Sequence, residues 1–201
     1  MSSMVKKLLQ SFSPIRMKWI WRWIFLGSLI GVVSGLGAIL FNFLLQVGTQ
    51  FFMKDLLTLF LPEKLQEFSL LGVPLSRWMI LWIPALGGLL SGVLVFHIAP
   101  EAEGHGTDAM IESFHRKKGM VRKRVPIIKT IASAITIGSG GSAGKEGPIA
   151  QIGSGFASFI GSLLKMDDRE RRILLLAGAA GGIGAIFKAP LGAAPSPAAP
   201  A

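Results

Sequence analysis

The chain has 201 residues, 51% of them hydrophobic and only 16% charged, and its mean hydropathy is +0.56. Soluble domains average about 25% charged residues, so this composition excludes an ordinary soluble domain. The formal net charge is +10, but the bases lie in clusters between long uncharged runs. That pattern is typical of a membrane protein, whereas nucleic-acid binders spread bases over a solvated face. Cysteine is absent, which excludes disulfides and thiolate metal sites.

The first 53 residues predict a basic segment followed by a membrane helix. Residues 1–22 carry five Lys/Arg and no acid, with apolar residues at helical spacing. They predict an amphipathic segment on a membrane surface, with a disordered basic tail as the alternative. Residues 23–53 are uncharged and exceed the roughly 20 residues that cross a bilayer, which predicts a tilted or extended helix. Gly27, Gly31 and Gly35 predict a stripe that a neighbouring helix approaches closely.

A second span and a topology follow from the next charges. Residues 54–77 contain three bases and three acids and predict a neutral loop, whereas residues 78–100 are uncharged and predict a helix kinked at Pro84. Residues 116–124 contain six Lys/Arg. By the positive-inside rule, the N-terminus and residues 116–124 are cytoplasmic and residues 54–77 external. A nucleic-acid site at 116–124 is a distant alternative.

The later uncharged runs, 130–144, 147–164 and 173–187, have only 15 to 18 residues and are rich in Gly, Ala and Ser. Short, interrupted hydrophobic segments indicate a transport site near the bilayer midplane. Irregular backbone at that depth is tolerated only inside protein or beside water.

The stretch "GSGGSAGKEGP" (138–148) looks at first like a phosphate loop, but Ser139 and Glu146 occupy positions that need glycine and a hydroxyl. Pro148 suits the first position of a helix over 148–164, whose free amides at Ile149–Gln151 would attract an anion. An ionised Glu146 would compete with that anion, and a protonated one would leave. Glu146 is therefore predicted to be gate and proton acceptor; a helix-capping glutamate is the alternative.

A similar pattern occurs in "GHGTD" (104–108). Thr107 or Asp108 is the expected N-cap of a short helix, and Gly104 and Gly106 permit close backbone approach. An ordinary interfacial turn is the alternative.

The residues Gly144-Lys145-Glu146-Gly147-Pro148, within "SAGKEGPIAQIGSGFAS" and followed by "AGAAGGIGAIFKAPLG", resemble the CLC family of chloride channels and chloride/proton exchangers. The resemblance covers about residues 20–192. It implies two inverted halves of tilted, broken helices and a homodimer with one pore per subunit. It also implies that Glu146 is the external gate, that the backbone around Gly147, Pro148 and Ile149 binds the anion, and that Gly144 and Lys145 belong to the selectivity motif.

The chain also departs from the family pattern. His105, followed by Gly106, replaces the serine whose hydroxyl coordinates chloride in the family. A neutral imidazole N–H donates to an anion and an imidazolium binds it more strongly. No tyrosine and no Gly-x-Phe-x-Pro loop is present, and residues 193–201 form a Pro/Ala tail that is expected to reflect truncation or a frameshift.

The sequence therefore predicts an all-α polytopic membrane protein, with a basic segment at 1–22 and the N-terminal half of a CLC-type domain at 23–192. The predicted function is proton-coupled anion exchange without metal, cofactor or enzymatic activity. A passive chloride channel and a membrane fragment without transport are the alternatives. The expected partners are chloride, protons, the lipid bilayer and a second copy of the chain, but not nucleic acid. The expected location is a prokaryotic inner membrane, with the N-terminus cytoplasmic.

Overall fold

The computed structural model describes residues 14–56, 69–70 and 73–189, with side chains described over 19–56 and 81–189. The described chain is almost entirely helical, which confirms the all-α prediction. Its helices are α1 (Pro14–Gln50), α2 (Leu75–Ile98), α3 (Thr107–His115), α4 (Arg124–Gly138), α5 (Glu146–Leu163) and α6 (Asp168–Phe187). A π-helical turn (Phe51–Asp55) extends α1, and a 3-10 turn (Pro100–Ala102) follows α2. Strands β1 (Ser69–Leu70) and β2 (Val73–Pro74) pair antiparallel, Ser69 opposite Pro74 and Leu70 opposite Val73.

The two long helices follow from the uncharged runs. Within the described residues, the ranges Trp19–Asp55 and Leu81–Ile98 are long and apolar enough to cross a membrane, with stretches of mean hydropathy 2.3 and 1.8. Helix α1 runs unbroken from residue 14, so the described part of the predicted basic segment, 14–22, is continuous with the span. Helix α2 continues through Pro84. Residues 1–13, most of the predicted 54–77 loop, and the 193–201 tail lie outside the described residues.

Helix α5 lies at the centre of the fold, and most of its residues are buried. It packs closely on α6 at Gly153 and Gly178, which have no side chains to keep the two backbones apart. A Cβ on either glycine would overlap the backbone at the other. On the other side, Ile149 and Ile152 of α5 join Phe41 of α1 in one buried apolar cluster. The short, glycine-rich runs therefore form the packed interior.

The predicted glycine stripe on α1 does not serve close packing. A Cβ at Gly27, Gly31 or Gly35 would meet no atom within 4 Å, so this expectation is wrong for the described residues. Helix α1 instead comes close to α4 at Gly48, where a Cβ would lie 2.8 Å from the carbonyl oxygen of Ala134. The reason is that a stripe of small residues permits close helix packing only where another helix faces it.

Loops break the helices where the sequence predicted interruptions. Residues 139–145 separate α4 from α5 without helical structure, which confirms the interrupted character of this region. The basic loop between α3 and α4 is attached to α5 by Ser158, whose hydroxyl donates to Gly119 O at 2.7 Å and accepts from Val121 N–H at 2.9 Å. Ser158 is fully buried, so this loop is held against the helical core.

Candidate anion site

The Gly-His-Gly loop begins the site. Gly104 and Gly106 have φ values of +72° and +106°, a left-handed conformation that favours glycine. Gly106 is the N-cap of α3, and no side chain caps the helix. The predicted cap at Thr107 or Asp108 is therefore wrong, because the permissive backbone of Gly106 starts the helix one residue earlier. The first amides of α3 remain available at this end.

The Glu146 motif forms the second part. Helix α5 begins at Glu146 with Lys145 as N-cap, not at Pro148 as predicted. Pro148 is instead the third helical residue. An N–H at this position has no acceptor within the helix, so proline loses no hydrogen bond there. Ile149 N–H donates to Lys145 O at 3.2 Å, so the prediction that it is a free donor is wrong. The amides of Glu146 and Gly147 have no backbone partner among the described residues. They, and not the Ile149 amide, are the available donors at this helix end.

The two motifs touch through glycine. A Cβ on Gly106 would lie 2.8 Å from Gly147 O, and a Cβ on Gly147 would overlap the ring and carbonyl of His105. The close approach predicted for this loop is confirmed at Gly106, whereas a Cβ on Gly104 would meet nothing within 4 Å. The contact brings the N-terminal ends of α3 and α5 together. Such ends carry partial positive charge and are a common setting for anion binding.

A cavity of about 640 Å³ lies beside this contact. Its wall is formed by one face of α2, the Gly-His-Gly loop, α4 and the residues just before α5. Of the predicted site residues, His105, Gly144 and Pro148 line it. Gly106, Gly147 and Ile149 are buried and do not line it.

Glu146 and Lys145 lie outside the cavity wall. Lys145 is exposed and Glu146 is half-buried. The Glu146 carboxylate turns back towards the loop, since a Cβ on Gly144 would overlap it. Because Gly144 itself lines the cavity, the carboxylate lies next to that wall. A side chain in this position has a short distance to move between the loop and the cavity.

Lys129 is a site residue that the sequence pattern did not single out. It lies one residue before the predicted uncharged run 130–144, and the structure buries it in the cavity wall. Its ammonium donates to Ala102 O at 3.0 Å and Gly104 O at 2.6 Å. Burying a charge is costly unless it is hydrogen-bonded, and these two carbonyls provide the partners. The one available signal was a single lysine at the edge of an apolar run.

A second set of polar contacts holds the 3-10 turn that precedes the Gly-His-Gly loop. Gln151 is buried, and its side-chain amide donates to Glu101 O at 2.9 Å. The Glu101 carboxylate in turn pairs with Arg122 of the basic loop. Burial opposes ionisation of Glu101, but its own backbone amide and the Arg122 guanidinium outweigh this and lower the pKa below its ordinary 4.5. The 3-10 turn that leads into the Gly-His-Gly loop is thus connected to both α5 and the basic loop.

Together, the helical fold, the two membrane-length helices and the paired helix ends beside a cavity are typical of an all-α polytopic membrane protein. The family model described as voltage gated chloride channel matches residues 87–194, more than half of the chain. The chain belongs to this family.

Individual relatives agree with the family model. The chain is 31% identical over 173 residues to an uncharacterized protein of Methanocaldococcus jannaschii, covering 86% of this chain and 36% of the relative. It is 32% identical over 172 residues to the H(+)/Cl(-) exchange transporter ClcA of Vibrio vulnificus, covering 84% and 34%. The crystal structure of a slow cyanobacterial Cl-/H+ antiporter matches with a TM-score of 0.62 and 28% identity, over 85% of this chain and 37% of that one. The chain thus spans about a third of the length of these proteins.

Proposed function

We propose that this chain supplies an anion pathway for proton-coupled chloride exchange across a membrane, with Glu146 as the gate. The observation that carries the proposal is the contact between Gly106 and Gly147, which brings two helix N-terminal ends together behind the cavity-lining residues His105 and Pro148. Relatives named as H(+)/Cl(-) exchange transporters support the choice of chloride and protons. The complete gene product is proposed to act as a homodimer in a prokaryotic inner membrane, with the N-terminus cytoplasmic.

In the proposed mechanism, the anion binds beside the ends of α3 and α5. The amides of Glu146 and Gly147 have no backbone partner among the residues described, and they lie in the chain between Gly144 and Pro148, which line the cavity. They are therefore the donors proposed for an anion that reaches this end of the cavity. His105 lines the cavity and offers an imidazole N–H. Lys129 adds a positive charge from within the wall and holds Gly104 O, which fixes the backbone next to His105. The anion therefore exchanges its hydration water for fixed N–H donors and a nearby positive charge.

The gate acts through the charge of one carboxylate. Ionised, Glu146 is attracted to the positive end of α5 and competes with the anion for the same donors. Protonated, it loses that attraction and takes the position against Gly144 in which the carboxylate lies in the structure. Anion entry is thereby linked to protonation and deprotonation of Glu146.

The decisive experiment is Glu146→Gln in the complete gene product, reconstituted into liposomes. Glutamine is neutral and mimics the protonated carboxyl, so anion flux should lose its activation by external acid and coupled proton movement should stop. Lys145→Gln is the matched control, because Lys145 is the exposed neighbour of Glu146 and carries no proton in the proposed cycle. If Glu146→Gln keeps normal acid dependence while Lys145→Gln loses it, the proposal has assigned the gate to the wrong residue.

The same assay separates exchange from a passive channel. An exchanger moves protons against their gradient when a chloride gradient is imposed, whereas a channel does not. Parent protein that conducts chloride with no associated proton movement would replace the exchange proposal with the channel alternative.

His105 provides a separate test of the anion site. Imidazole side chains change charge between about pH 5 and 8, and the charged form binds anions more strongly. If His105 contacts the anion, parent affinity for chloride should depend on pH, and His105→Ser should flatten the profile. Chloride affinity measured by calorimetry at several pH values gives the answer. An identical profile in both proteins would exclude His105 from the site.

A further inference from the structure

A basic face, defined here as residues 116–124 and 165–172, lies away from the anion site. The two segments are neighbours, since a Cβ on Gly119 would lie 2.9 Å from the backbone nitrogen of Arg172. They contain ten Lys/Arg and three Asp/Glu, a formal net charge of +7. The whole chain has a net charge of +10, so most of its excess positive charge lies in the basic face.

The acids of this face are already engaged. Asp168 accepts from Lys118 and Arg171, each at 3.2 Å, and Glu170 pairs with Arg22 at 2.9 Å. Asp167 caps α6 by accepting from Glu170 N–H at 2.7 Å. Several bases have no acidic partner among the described residues: Arg116, Lys123, Arg124, Lys165, Arg169 and Arg172. Their charge is therefore available to an external anion.

Lys165 holds an unfavourable backbone conformation at the end of α5. Its φ is +51°, in the left-handed region, and the adjacent Met166 N–H closes the helix by donating to Gly161 O at 3.0 Å. This helix-ending position is usually glycine, because a Cβ is disfavoured there. The Lys165 side chain is exposed, so its retention at this position is not explained by packing within the described chain.

Exposed apolar side chains adjoin this lysine. Leu163 and Leu164 are 68% and 50% exposed. One turn before Leu163, the ring of Phe159 lies under the Lys123 ammonium, 4.9 Å from it. Lys123 and Lys165 thus flank one apolar helix end. Basic side chains at the end of an apolar surface are typical of residues that reach towards the membrane–water boundary.

We propose that this end of α5 binds the phosphate of an anionic phospholipid through Lys123 and Lys165, with Leu163 and Leu164 directed to the acyl chains. Positive clusters beside membrane helices attract anionic headgroups. The exposed leucines favour a lipid over a soluble phosphate or a nucleic acid, neither of which would cover them. The proposal does not depend on chloride transport.

The test compares phosphatidylglycerol with phosphatidylcholine in nanodiscs that contain the complete gene product. Phosphatidylglycerol should raise the thermal unfolding midpoint and bind more tightly than phosphatidylcholine. Each of Lys123→Gln and Lys165→Gln should weaken phosphatidylglycerol binding about fivefold, as expected for loss of one charge near the surface. Soluble glycerol phosphate that produces the same midpoint shift in phosphatidylcholine nanodiscs, or a double variant that keeps the full phosphatidylglycerol preference, would overturn the proposal.

Two glycine substitutions make the test independent of folding defects. Lys165→Gly and Lys118→Gly both relieve a left-handed residue, with φ of +51° and +54°, so both variants should fold. Lys118 already pairs with Asp168, whereas Lys165 has no described partner. Lys165→Gly should therefore lose most of the phosphatidylglycerol-specific shift, and Lys118→Gly should keep it. An equal loss in both variants would mean that the face attracts lipid only through its overall charge and would contradict the specific site.

Discussion

The N-terminal half of α1 and the α5–α6 pair use glycine in opposite ways. On α1, Gly27, Gly31 and Gly35 border open space, although their spacing is that of a packing motif. On α5 and α6, Gly153 and Gly178 bring two backbones into direct contact. The long helices have large exposed apolar surfaces, with 28% and 11% of their most apolar stretches buried, whereas most residues of α5 are buried. Length and hydropathy thus determine which segments cross a membrane, while close packing of the short segments builds the site.

The strongest test of this contrast exchanges glycine for alanine in both regions. Gly153→Ala would drive a methyl group into the backbone at Gly178, so we expect a loss of about 3 kcal/mol, the upper end for overpacking. Gly31→Ala meets open space and should stabilise by up to about 1 kcal/mol through better helix propensity. Thermal and denaturant unfolding in detergent measures both. Equal effects would show that the two regions do not differ in packing.

The second test concerns buried charge in the short-helix region. Lys129→Met would leave Ala102 O and Gly104 O without their partner, so a loss of about 2 kcal/mol in unfolding free energy is expected. Chloride affinity should fall as well, because the cavity loses its internal cation. Lys145→Met is the control, since Lys145 is exposed, and its stability should change by less than about 0.5 kcal/mol. Lys129→Met with parent-like stability and affinity would contradict the assigned role.

The smallest expected effect concerns the connection between the basic loop and the 3-10 turn that leads into the Gly-His-Gly loop. The pKa of Glu101 lies below 4.5 in the folded chain, so its ionised form stabilises the fold above pH 4.5, and that contribution is lost as the pH falls through the lower folded pKa. Arg122→Gln should raise the pKa of Glu101 and make the acid limb of the stability profile shallower. Unfolding midpoints between pH 3 and 6 provide the measurement. Superimposable profiles would show that this ion pair adds nothing to acid stability.

Sequence patterns indicated several residues of the candidate site but not how they are arranged. Glu146 was identified because glycine, proline and an ionisable group in an apolar run are unusual together. His105 was identified because it stands where the family that the chain resembles has a serine. The start of α5 was misplaced by two residues, since Pro148 is compatible with any of the first helical positions. Lys129 was missed because a lysine at the edge of an apolar run looks like a boundary residue until its carbonyl partners are known.

By itself, the sequence determined the helical class, the two membrane-length segments and the interrupted region that carries Glu146, because these depend on hydropathy, charge and local backbone preference. The tertiary structure alone decided that Gly106 meets Gly147, that Lys129 holds the loop beside His105, and that the glycines of α1 border open space. Such contacts join residues far apart in the chain. They depend on which helix faces meet, and no local pattern specifies that.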